Sequence, residues 1–137
     1  MSNRRTFLKK AAAAVGLFGV SSFSLKAQKT MNPLSNILIH HVYFWLKNPE
    51  DRKVREQFET ALQKLVTIDE IKNSHLGIPA STEERDVVDH SYSYSLMVIF
   101  NSKEDQDIYQ KHPIHLEFVE QNEHLWKKVK VYDSVDI

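Results

Sequence analysis

The chain of 137 residues contains no cysteine. That rules out a disulfide framework and thiolate chemistry, so stability must come from a core or from oligomerisation. It has only three glycines: Gly16, Gly19 and Gly77. Nothing resembles a glycine-rich phosphate loop or a dinucleotide fingerprint, so no motif specifies a cofactor. No apolar run reaches the roughly 20 residues needed to span a bilayer. The longest candidate, from Ala11 to about Phe23, is short and only mildly apolar because of its alanines and glycines. Formal net charge is also absent, since 18 basic residues face 18 acidic ones.

That balance hides an asymmetry. Arg4, Arg5, Lys9, Lys10 and Lys26 precede residue 28, and no acid accompanies them. A basic start, a short apolar middle and a small-residue exit near Ala27 form an export signal over residues 1–27. The sequence Asn3-Arg4-Arg5-Thr6-Phe7-Leu8-Lys9 resembles the twin-arginine type, with Asn3 where a Ser or Thr usually stands. This segment predicts a periplasmic or exported protein that meets a membrane only during export. An uncleaved anchor or a basic amphipathic helix is the competing reading. Beyond it the chain keeps 13 of its 18 basic residues against all 18 acidic ones, a net of −5. A nucleic-acid partner would call for a basic face instead.

Residues 28–36 are polar and contain Pro33, and they read as a linker. Residues 37–47 are rich in β-branched and aromatic side chains and predict a buried strand. Asn48 and Pro49 then read as the cap and first position of a helix over 49–67. Its apolar stripe is Val54, Phe58, Ala61, Leu62, Leu65 and Val66. A weaker strand is expected over 71–78 and a loop over 79–89. The alternation from His90 to Phe100 predicts a third strand with Tyr92, Tyr94, Leu96, Val98 and Phe100 on one face. Ser102 reads as the cap of a second helix, over 103–111. Pro113 disfavours a helical His112, so a second helical piece follows at about 114–126. Residues 128–135, with Val129, Val131, Asp133 and Val135 alternating, predict the last strand.

The order β-α-β-β-α-β is the split-βαβ, ferredoxin-like pattern of an α+β domain over 37–135, with two helices on one face of an antiparallel sheet. The uncovered face predicts a homodimer.

Candidate chemistry concentrates in Tyr109-Gln110-Lys111-His112-Pro113-Ile114-His115. His40 and His41 lie on opposite faces of the first strand, so one of them faces the helices. Tyr109 and His112 are neighbours at helical spacing, and His115 opens the next helical piece. With Tyr92 and Tyr94, these residues can line a pocket for acid–base work or for hydrogen bonding to a polar ligand. They can equally be satisfied buried groups at a helix junction. His112, His115, His124 and His40 offer loose metal-ligand spacing, but no His-Glu-x-x-His pattern or fixed carboxylate accompanies them. Trp45 and Trp126 read as core or interface aromatics.

The run Ile39 to Lys47, Tyr94 to Ser102, the element Tyr109-x-x-His112-Pro113-x-His115, and Val131-Tyr132-Asp133 resemble the stress-responsive dimeric α/β-barrel (Dabb) family. The resemblance implies a ferredoxin-like fold whose two sheets meet as a barrel in a dimer. Many members are stress-induced proteins without a known reaction. One plant branch closes polyketide chains by aldol chemistry without a cofactor. By that resemblance His40, Tyr109 and His115 take catalytic places, with His115 the base, and Tyr94 stands where that branch has another pocket histidine. The resulting expectation is an exported small-ligand-binding or stress-related protein. The alternative is a cofactor-independent cyclase or lyase acting on a small aromatic or polyketide-like ligand.

Overall fold

The computed structural model describes residues 33–137. The export signal expected over residues 1–27 and the first part of the linker lie outside them. Four strands and three helices follow in the order β1 (Leu38–Leu46), α1 (Arg52–Leu65), β2 (Asn73–Gly77), β3 (Tyr94–Phe100), α2 (Lys103–Lys111), α3 (Pro113–Asn122) and β4 (Trp126–Val135). A short 3-10 turn, Glu123–Leu125, joins α3 to β4. The sheet order is β2-β3-β1-β4 and every pairing is antiparallel. This is the ferredoxin-like α+β arrangement expected from the sequence.

The pleat sorts β1 into two sets. Leu38, His40, Val42, Phe44 and Leu46 are buried, while Ile39, His41, Tyr43 and Trp45 are half-buried. The buried set meets Phe58, Leu62 and Leu65 of α1 and Phe118 of α3. Phe44 is the hub, with ring centroids 5.1 Å from Phe58, 6.1 Å from Phe118 and 5.4 Å from Trp126. Burying each such side chain contributes about 1.5–3 kcal/mol. Trp126 is therefore a core-packing residue, whereas Trp45 lies on the open face.

Three local expectations need correction. The cap of α1 is Asp51, whose carboxylate accepts from the Lys53 and Val54 amides at 2.8 and 3.4 Å. Asn48 instead accepts through its carbonyl from Asp51 N at 3.2 Å, so Pro49 sits inside a turn that precedes the helix. β3 begins at Tyr94 rather than His90. Ser93 is still tied to β1: its amide donates to the Phe44 carbonyl (2.7 Å) and its hydroxyl oxygen accepts from the Leu46 amide (3.0 Å). Tyr92 thus escapes the alternation. Its ring lies 4.9 Å from Tyr43 on the open face, while Tyr94 packs 5.4 Å from Phe58 under the helices. Finally, β4 starts at Trp126, two residues earlier than the valine alternation suggested.

Candidate functional site

The site grows from the break between α2 and α3. Pro113 has no amide hydrogen and holds His112 extended, at φ −65° and ψ 137°. In an unbroken helix the Tyr109 carbonyl would receive residue 113 and the Gln110 carbonyl would receive Ile114. Here the Tyr109 carbonyl accepts from His112 N at 3.1 Å. Ile114 N donates to His112 Nδ1 at 3.2 Å, making His112 the N-cap of α3. The freed Gln110 carbonyl faces His115 Nδ1 at 3.1 Å. A carbonyl can only accept, so Nδ1 carries the proton and, in the neutral ring, Nε2 keeps its lone pair.

His40 reaches the same region from β1. It is 4% exposed, and its Nδ1 lies 2.6 Å from Asp133 Oδ1 on β4. The two residues are direct partners in the β1–β4 register, which aims both side chains to one face. The carboxylate accepts, so this imidazole too holds its proton on Nδ1. Tyr109 sits between the two rings, with centroids 5.8 Å from His40 and 4.7 Å from His115, and it rests on Phe100 at 5.1 Å. Burial pushes the Tyr109 phenol well above its ordinary range, so it stays protonated. Burial also lowers the His115 pKa; the nearby His40 adds to that and the Gln110 carbonyl opposes it. His115 is consequently neutral near pH 7.

The six candidates read from the sequence thus divide. His40, Tyr109 and His115 form one row beneath the helices. His112 is next to that row but spends its Nδ1 on the α3 cap. Tyr94 lies four residues along the sheet from the position opposite His40, roughly 13 Å away. Its hydroxyl donates to Glu59 of α1 at 2.5 Å, and burial together with that bond pushes its pKa up to about 12. Tyr92 is on the opposite face. Two partners were not singled out from the sequence: Asp133 and the Gln110 carbonyl. Asp133 was visible there only as a carboxylate breaking a row of valines and as the end of the Val131-Tyr132-Asp133 element, with no role attached. Among the described residues, no group of three or more His, Asp or Glu side chains is placed to hold a metal ion.

A ferredoxin-like sheet carrying an imidazole–phenol–imidazole row under a broken second helix defines the class of protein. The chain belongs to the stress-responsive A/B barrel domain family, which matches residues 38–136. Solved structures share the fold. An Arabidopsis thaliana protein is 25% identical, with a TM-score of 0.61 over 73% of this chain and 95% of its own. A hydroxynitrile lyase from Passiflora edulis is 21% identical, with a TM-score of 0.62 over 77% of this chain and 96% of its own. A Thermobifida fusca protein described as dimeric, ferredoxin-like and of unknown function is 19% identical, with a TM-score of 0.60 over 77% of this chain and 97% of its own. No curated protein matches the chain.

Proposed function

We propose that this family member is a cofactor-independent lyase or cyclase in which His115 is the general base. The observation that carries the reading is the Asp133 carboxylate 2.6 Å from His40 Nδ1. It supplies the acidic partner that residue types alone had left missing. In this scheme His115 Nε2 takes a proton from an acidic C–H or O–H of the substrate. The Tyr109 phenol donates a hydrogen bond to the oxygen on which charge develops. His40, fixed by Asp133 through Nδ1, keeps an Nε2 lone pair that accepts from a second hydroxyl or acidic hydrogen of the substrate; in the lyase direction the C–C bond to the leaving carbanion breaks as the carbonyl forms, and the proton on His115 passes to that leaving group. The hydroxynitrile lyase among the neighbours makes cyanohydrins the first substrates to screen, followed by small polyketide-like acids. His115→Gln should lower turnover by about 10²- to 10⁴-fold with an unchanged circular dichroism spectrum. Equal activity in that variant rejects the assignment.

A second reading, binding without turnover, is favoured by one observation. Tyr109 is 1% exposed, and five cavities of about 240–500 Å³ among the described residues are lined by neither it, His40 nor His115. Under this reading a small aromatic acid saturates the protein and emerges unchanged. Catalysed product formation sinks it.

The proposal includes a homodimer through the open sheet face. Half-buried aromatics on that face support it, as do relatives described as dimeric. A clean monomer by sedimentation at micromolar concentration counts decisively against it. It also includes export through residues 1–27, resting on the sequence alone. Replacing both Arg4 and Arg5 by Lys should hold the protein inside the cell, and undiminished export of that variant refutes the twin-arginine route.

A further inference from the structure

The open face has a charge pattern of its own. His41 of β1 stands in register with Met97 of β3 and Tyr132 of β4, and Met97 stands in register with His75 of β2. Paired residues share a face, so one row runs His75, Met97, His41, Tyr132 across the sheet. The two imidazoles are two strand spacings apart, roughly 10 Å. The His75 ring lies back along β2 toward Gly77, where a Cβ would come within 2.9 Å of its Cε1 and 2.8 Å of Ser95 Oγ. The glycine thus leaves the ring its place on this face. His41 is steadied by the Tyr43 hydroxyl, 3.2 Å from its Nδ1.

The strands give this face no carboxylate. Besides the two histidines, their ionisable side chains here are Tyr43, Lys128, Lys130 and Tyr132. The loop before β3 adds Asp89, His90 and Tyr92, which line a recess beside His41. The Ser91 hydroxyl and amide hold the Asp89 carboxyl below its usual range. Lysines and tyrosines titrate well above neutrality. Between pH 7.5 and 5.5, then, only imidazoles change charge on this face. His90 is at the loop rim, with Nε2 3.0 Å from Thr82 Oγ1. His41 and His75 lie within the sheet. Burial opposes a charge on His41 most, followed by His75 and by His40 on the covered face.

We propose that the open-face homodimer is gated by protons: neutral His41 and His75 let two sheets close on each other, and protonating them drives the protomers apart. The inference rests on the homodimer reading above and adds its regulation. Closing the two faces takes water away from both copies of the row. A neutral imidazole brings mostly ring surface to that contact. An imidazolium brings a charge that needs a partner, and each copy offers only the same basic row. Lys128 and Lys130 escape this cost, because β4 is an edge strand and their long side chains can reach water. His41, on the inner strand β1, has no such exit.

The test is sedimentation equilibrium of the full-length protein at pH 7.5 and 5.5 and matched ionic strength, with circular dichroism on the same samples. The dimer dissociation constant should rise by about 10- to 1,000-fold at the lower pH while the spectrum stays folded. The double variant His41→Gln with His75→Gln should dimerise alike at both values, whereas His90→Gln should keep the response. A second readout needs no variant: diluting the wild-type dimer at pH 6.5 should take up about one to two protons per dimer, measured by calorimetry in two buffers of different ionisation enthalpy. A dimer equally tight at both pH values, with no proton uptake, overturns the gate and leaves the dimer standing. A monomer at both values overturns the dimer and the gate together. Dissociation that occurs only with loss of the folded spectrum, or a full response in the double variant, overturns the gate as well.

Discussion

His40 and His41 are consecutive residues with the same side chain, and the sheet gives them opposite lives. His40 is sealed under the helices with a carboxylate on its Nδ1. His41 is half-buried on the open face, and its Nδ1 meets only the Tyr43 hydroxyl, at 3.2 Å. Burial, then the neighbouring His75 and His40, push its pKa down. One face answers a buried polar group with a fixed partner. The other surrounds it with rings. A single step along a strand therefore separates a helix-covered polar row from an open aromatic surface.

The sharpest way to test that contrast is to remove a ring from each face. Phe100→Ala, fully buried under the helices, should cost about 3–5 kcal/mol of unfolding free energy. Tyr132→Ala, 58% exposed on the open face, should stay within about 1 kcal/mol in the monomer. Urea denaturation measures both, and equal losses would mean the open face is as tightly packed as the covered one.

Next in size is the histidine–carboxylate pair. Asp133→Asn keeps the shape but replaces a charged acceptor with a neutral amide. Because Asp133 is half exposed, the stability loss should be only about 1 kcal/mol. Turnover should fall by a further about tenfold or more if His40 depends on that carboxylate for its orientation. An unchanged rate would reduce Asp133 to an ordinary cross-strand contact.

The smallest effect is on pH dependence. The folded pKa values of His115 and His41 both lie below the unfolded value of 6.5. The unfolded chain therefore binds protons first as the medium is acidified. The associated stability is complete above about pH 6.5 and is lost as pH falls from there through the depressed folded values. Unfolding free energies at pH 7.5 and 5.5 should show the decline. His115→Gln and His41→Gln should each flatten it, dividing the effect between the two faces. Greater stability at the acid end contradicts both shifts.

Much of the fold was readable from residue order. The two-residue period of β1 announced that one of His40 and His41 would face the helices. Pro113 announced the helix break. Asp133 was harder to read, because a register between β1 and β4 is set by pairing across 93 positions rather than by local pattern. Tyr92 misled because its two-residue spacing from Tyr94 continues a strand that the backbone has already left. Asn48 misled because two cap-competent residues stand three apart, and only the turn at Pro49 decides which of them starts the helix. The family resemblance implied a pocket place for Tyr94, yet its hydroxyl is spent on Glu59, far from the row.

The proline at the helix break has an evolutionary consequence. The break it imposes turns the Ile114 amide to His112 Nδ1 and so leaves the Gln110 carbonyl open, and that carbonyl decides which nitrogen of His115 stays basic. A Pro113→Ala change would let the two helices fuse and reclaim the carbonyl, and the imidazole would lose its orientation while every reactive side chain remained. A lineage could silence such a site without touching a single histidine or tyrosine. Counting those residues across relatives would then mistake a retired enzyme for a working one.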